Sequence, residues 1–319
     1  MAKGQLGMKR KLIKSIIHKK INDWLSTMPE ELRDAVKDKI IVTGGSIVSL
    51  LMNDKVNDYD LCFRDHGATK LIAEYYVKRF KDNPPPRFKD SPATVNIAVR
   101  SDEDRVKIVV KSAGVAGETE EVRYSYFESD TDPDAMEAHE YVERAMEVAK
   151  DSAETESDKA ATKPKYRPVF LSSNAISLSD RIQIVIRFFG DPDVIHENYD
   201  FVHCMNYWTS WDNNLVLRPE ALECVINKEL RYHGSKYPLC SVIRTRKFIQ
   251  RGWQINAGQY LKMLWQLQEL DLSNISVLED QLVGVDCAYF MEVIRLLKEH
   301  GNGKDIDATY LMEIIDKVF

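Results

Sequence analysis

The sequence predicts an α+β fold: a mixed-sheet head over residues 1–205, then an all-helical region over residues 206–319. Three observations predict it. Short β-branched runs alternate with helical periodicity up to about residue 190. Helical spacing alone continues from Pro192 almost to Phe319. A strongly acidic stretch separates two groups of strands within the head.

The elements follow in order. Residues 8–25 place Leu12, Ile13, Ile16, Ile17, Ile21, Trp24 and Leu25 at helical spacing, with lysines between them. Pro29 opens a second short helix whose first turn is acidic. KIIVTGGS is a short β-branched run ending in paired glycines, which predicts a buried strand and a tight turn. Residues 47–52 have helical character, and DYDLCF predicts a second strand. GATKLIAEYYVKRF is helical by period and is ended by NPPP. TVNIAVR and RVKIVVK alternate in a period of two around SDED, which predicts a β-hairpin. An insert follows at about 112–165, with a helix at DAMEAHEYVERAMEVAK and linker composition at DSAETESDKAATKPK. YRPVFLSSNAISLSDRIQIVIRFFG predicts two more strands around Ser179 and Asp180. Four C-terminal helices are expected at 241–251, 259–270, 284–299 and 307–317.

Composition narrows the function classes. Apolar residues make up 44% and charged residues 29%, which is ordinary for a globular protein. The chain has no run of eighteen apolar residues, so no membrane partner is expected. The first twenty residues lack the apolar core of a secretory signal. The five cysteines are scattered and form no CxxC pair, which fits a reducing, cytoplasmic location. Residues 118–158 carry fifteen acids against three bases, a net charge of −12. The rest of the chain carries 41 bases and 35 acids. This distribution is compatible with a basic body that takes a polyanionic ligand, and equally with a solvated acidic insert on a nearly neutral protein; the insert is also a candidate surface for a protein partner.

The chemistry-bearing segment is GGSIVSLLMNDKVNDYDLCF. Gly44 and Gly45 let backbone approach a phosphate, and the helix after them offers free N–H groups to an anion. Strand periodicity puts Asp58, Asp60 and Cys62 on one face and Tyr59, Leu61 and Phe63 on the other. Two neighbouring carboxylates repel unless a cation lies between them. Mg²⁺ takes one or two carboxylates together with phosphate oxygens. The arrangement therefore predicts a site for metal and triphosphate.

On these residues the segment resembles the polymerase-β-type nucleotidyltransferases, and most closely the head of class II tRNA nucleotidyltransferases and bacterial poly(A) polymerases. Gly44, Gly45, Ser46, Leu50, Leu51, Asp58 and Asp60 match that signature, while Val48 and Ser49 stand where the family has Arg-Asp. RIQIVIRFFG resembles the strand that carries the family's third metal carboxylate, with Gln183 at that position and Asp180 or another acid as the alternative. NYDFVHCMNYW resembles the nucleotide-binding segment through Asp200 and Phe201, with Asn206 just beyond the family asparagine. YPLCSVIRTRKFIQRGWQI resembles the neck, where Arg244, Lys247 and Arg251 form a basic face. Lys236, Tyr237 and Cys240 replace the base-reading set.

The resemblance implies a nucleotidyltransferase-type head and a Mg²⁺-dependent enzyme. That enzyme would move NMP from an NTP such as ATP to a hydroxyl, at an RNA or tRNA 3′ end. Asp58 and Asp60 would be catalytic and hold the metal. Gly44, Gly45, Ser46, Asp200, Asn206, Arg244, Lys247 and Arg251 would bind the nucleotide. The alternative is a degenerate member that binds nucleotide or nucleic acid, or acts in assembly, without turnover. His196 and His203 show no partner spacing for a metal or triad and are expected to be structural.

Overall fold

A computed structural model of the chain describes residues 7–84, 97–110, 164–171 and 174–272, with 274, 277 and 281. These fall into two compact units, one ending at Asn227 and one beginning at Lys228. The acidic insert and the helices expected at 284–299 and 307–317 lie outside the described residues.

The first unit is a mixed α+β arrangement around a seven-stranded sheet. The N-terminal helix α1 (Arg10–Leu25) buries Ile13, Ile17, Ile21 and Trp24 along one side, as the spacing requires. Pro29 precedes α2 (Glu30–Val36). Strand β1 (Ile40–Thr43) is buried at all four positions and runs through Gly44 into α3 (Gly45–Met52). Strand β2 (Tyr59–Phe63) follows, and then α4 (His66–Asp82), capped by Asp65, whose side chain accepts the Ala68 N–H.

The alternating runs form the hairpin β3 (Ile97–Asp102) and β4 (Arg105–Val110), a separate two-stranded sheet. Three strands then stand where two are expected: β5 (Pro168–Leu171), β6 (Ala175–Leu178) and β7 (Ile182–Phe189). Asp180 and Arg181 turn the chain between β6 and β7 with φ of 62° and 59°. The Asp180 carboxylate accepts the Tyr166 N–H and the Ser179 hydroxyl, so it holds this turn together.

After α5 (Pro192–His196) the expected run of helices is interrupted. A 3₁₀ turn (Val202–Cys204) leads to β8 (Tyr207–Thr209) and β9 (Asn214–Val216), and only then α6 (Pro219–Asn227). The all-helical expectation beyond residue 206 is corrected here. Three-residue strands are too short to show a period of two. The signal was the turn Ser210–Asn214, in which Asn213 has φ 47° and Asp212 accepts from Thr209 and Asn214.

The sheet order is β5-β6-β7-β2-β1-β8-β9. Every neighbouring pair is antiparallel except β2 and β7, which run parallel. Helices α1 and α4 are joined by the Trp24 indole N–H, which donates to the Tyr76 hydroxyl at 2.7 Å in the buried core. Lys20 of α1 turns inward over the rings of Tyr59 and Tyr166 and donates to the Asp180 carbonyl. The opposite face buries Ile41, Cys62, Val185 and Ile195, with Phe188, Tyr199, Tyr207 and Trp211 against them.

The second unit holds α7 (Pro238–Gln250) and α8 (Ala257–Leu267), near the expected positions. Cys240 donates its thiol to the Gln281 carbonyl, and the Gln281 amide donates to the Lys236 carbonyl. Among the described residues no helix is long and apolar enough to cross a membrane.

The buried His203 makes the first unit sensitive to acid. Burial pushes its pKa down to about 3 from 6.5. The unfolded chain therefore binds a proton that the folded chain refuses between these values. Stability is full above pH 6.5 and falls as the pH drops below it, by up to about 1.4 kcal/mol per pH unit. Urea unfolding at pH 7, 5 and 4 should show this slope, and His203→Gln should flatten it. An identical slope in both proteins would exclude His203 as the source.

Candidate functional site

Gly44 governs the local geometry. Its φ of 80° and ψ of −152° lie in a region that only glycine occupies without strain. A Cβ built there would stand 2.8 Å from Oδ2 of Asp60, so the carboxylate lies against the turn. The Gly44 N–H donates to the Cys204 carbonyl, which fixes the turn from the other side. A Cβ on Gly45 would meet nothing within 4 Å, so the start of α3 is open there. Ser46 is buried and donates to the Thr43 carbonyl.

Strand register brings the other groups into line. Thr43 pairs with Asp60 on one side and Tyr207 on the other. Asp60 pairs with Gln183, and Gln183 pairs with Ser177. Paired residues on neighbouring strands share a face. Ser177, Gln183, Asp60, Thr43 and Tyr207 therefore form one polar row across five strands. Asp58 stands just before β2 and is half-buried. One step along the strands the face becomes apolar, with Ile41, Cys62 and Val185. Burial above all, and then the adjacent Asp60 charge, pushes the Cys62 thiol up, so it stays protonated. Tyr199 is likewise held as a neutral phenol, mainly by burial and then by the Asp60 charge.

A hydrogen-bond network holds Thr43. Its hydroxyl lies 2.8 Å from Nε2 of His196, 3.0 Å from the Asn206 carbonyl and 3.2 Å from the Cys204 carbonyl. Arg218 donates to Nδ1 of His196 at 3.2 Å and also pairs with Asp193. An arginine can only donate, so Nδ1 accepts and the proton sits on Nε2. His196 therefore donates to Thr43, which donates onward to the carbonyls. The rings of Tyr199 and Tyr207 lie on the same imidazole. None of Thr43, Arg218, Tyr199 and Tyr207 was singled out as a site residue by sequence, because such a network has no fixed spacing along a chain.

The predicted residues divide into three groups. Gly44, Gly45, Ser46, Asp58, Asp60 and Gln183 come together at the ends of β1, β2 and β7. Asp200 and Asn206 are buried near the 3₁₀ turn. Asn206 accepts the Arg218 N–H through Oδ1 and the Thr43 hydroxyl through its carbonyl, so it ties the network to α6. Arg244 and Lys247 lie on α7 and Arg251 at its C-terminal cap, within the second unit. Among the described residues there is no group of three or more His, Cys, Asp or Glu side chains placed to hold a metal.

Comparisons with known proteins place this site in a different family from the expected one. The model of a family described as "Gabija anti-defense 2 family protein" matches residues 15–228. A protein named Gabija anti-defense 2, from Bacillus phage SPbetaL7, is 22% identical over 140 residues, covering 43% of this chain and 33% of that protein. The chain thus spans about a third of the length of this relative. No solved structure matches. These findings overturn the polymerase-β-type assignment and with it the nucleotidyltransferase head as a fold label. The NMP-transfer reaction, the enzyme assignment and the tRNA-processing role fall too, as does the degenerate-transferase alternative. The departures at Gln183, Val48, Ser49, Lys236, Tyr237 and Cys240 agree with this correction, since an amide supplies no charged metal ligand.

Proposed function

Because the chain belongs to the Gabija anti-defense 2 family, we propose that it counters the Gabija defence, as the name of its Bacillus phage relative says of that protein. The extent of the match carries this reading. Residues 15–228 take in most of α1, all seven strands of the main sheet and α6. The match stops beside Asn227, the last residue of the first unit. The counter-defence activity accordingly belongs to that unit.

Within the unit, the polar row and the Gly44–Gly45 turn are the working surface. The reading is of binding: a phosphorylated ligand, of which an NTP is one, set against the turn together with Mg²⁺ held by Asp58 and Asp60. Mg²⁺ commonly keeps several waters and needs only one or two carboxylates, so a third acid at Gln183 is not required. The Thr43–His196–Arg218 network keeps the strand end in place beneath it.

The test is a phage challenge of bacteria that carry Gabija, with and without this chain. Plating efficiency should rise toward that of cells lacking the defence. Unchanged protection, with the chain present in soluble form, would overturn the proposal. The site is tested separately by Asp58→Asn/Asp60→Asn. Full counter-defence by that variant would discard the polar row as the working surface and leave the family-level reading standing.

A further inference from the structure

We propose that the outward face of α1 binds the phosphate backbone of a nucleic acid. From Lys9 to Lys20 the chain carries six lysines and arginines and no acid. The structure sorts them. Arg10 donates to the Leu215 carbonyl and to Asn214, which uses it to fasten the helix to β9. Lys20 is turned inward over Tyr59 and Tyr166. Lys9, Lys11 and Lys19 are exposed, and Lys14 is half-buried. Among the described residues none of these four enters an ion pair.

Between them the same face shows Ser15, His18 and Asn22, the last two hydrogen-bonded to each other. The first acid is Asp23, which is engaged by the Tyr166 hydroxyl and by Lys165. Lys11 and Lys19 are about 12 Å apart along the helix axis. With Lys9 and Lys14, they offer up to four phosphate contacts to a duplex that carries a charge on each strand about every 3.4 Å of its axis.

A basic amphipathic helix can also lie on an anionic membrane, but that needs its apolar side free to insert. Here Ile13, Ile17, Ile21 and Trp24 are at most 1% exposed and belong to the core. Leu12, 52% exposed, and the half-buried Ile16 are left on the flank. A bilayer gains little from such a face, and a phosphate backbone needs nothing more.

The experiment uses the full chain and fluorescence anisotropy of a labelled 30-bp duplex, with a single-stranded RNA and phosphatidylserine vesicles in parallel. Four neutralised phosphates give a slope of log affinity against log salt near −3.6 on duplex. Affinity should then fall on the order of 10²-fold between 50 and 200 mM salt. Lys11→Gln/Lys14→Gln/Lys19→Gln should bring the slope to about −1 at unchanged melting temperature. Lys70→Gln/Lys78→Gln, which removes two exposed lysines of α4, should leave it at the wild-type value. The proposal is overturned if neither nucleic acid binds at 50 mM salt, or if only the vesicles bind. It is equally overturned if the triple variant keeps the wild-type slope, or if the α4 variant loses as much.

Discussion

Alanine at Gly44 should lower the melting temperature of the first unit by about 4–24 °C and abolish the proposed counter-defence, while alanine at Gly45 should leave both nearly unchanged. Two separate costs act at Gly44. A φ of 80° with ψ near −152° costs a side-chain-bearing residue about 1–3 kcal/mol. A Cβ 2.8 Å from Oδ2 of Asp60 must then displace that carboxylate, for about a further 1–3 kcal/mol. In a unit of this size each kcal/mol is worth about 2–4 °C. Gly44→Ala/Asp60→Ala separates the two: it relieves the collision but keeps the backbone strain, so it should recover part of the lost stability. A Gly44→Ala protein that melts with wild type would show that the turn does not have this geometry.

The second large effect is expected at Trp24. The indole is fully buried between α1 and α4 and donates to the Tyr76 hydroxyl at 2.7 Å. Trp24→Ala should cost about 3–5 kcal/mol, from the cavity and the lost contacts. Tyr76→Phe removes only an oxygen, but it strands the indole N–H in the core, for about 1–3 kcal/mol. The double variant should lose less than the two singles added, because the stranded donor is then gone. Urea unfolding of the four proteins measures the cycle. Strict additivity would mean that the two side chains do not depend on each other.

The sequence exposed what is local and periodic. KIIVTGGS marked β1 and its turn, DYDLCF marked β2, and the paired alternation around SDED marked the β3–β4 hairpin. It also brought Gly44 and Asp60 into one candidate site, since both flank a single short helix. What it hid is what depends on contacts far along the chain. The two glycines look alike in sequence. Only the carboxylate lying over Gly44 and the open space beside Gly45 tell them apart. The Thr43–His196–Arg218 network joins three segments that share no period. Identity failed for a related reason: GG followed by DYD records a turn and the start of a strand. Such geometry can be matched without sharing a family, and the residues that would have carried the reaction were already missing at Gln183.

The parallel pairing of β2 with β7 has a consequence for synthesis. β2 ends at Phe63, but its second neighbour starts at Ile182, and β1 waits for Tyr207. A ribosome therefore releases β1 and β2 as a two-stranded ribbon with both outer edges unpaired, long before either partner exists. Unpaired edges seek other strands, and such distant pairings form slowly. Chains cut short before β7 are expected to aggregate, and folding of the first unit becomes a late event, timed by the arrival of Ile182–Phe189 and then Tyr207–Thr209.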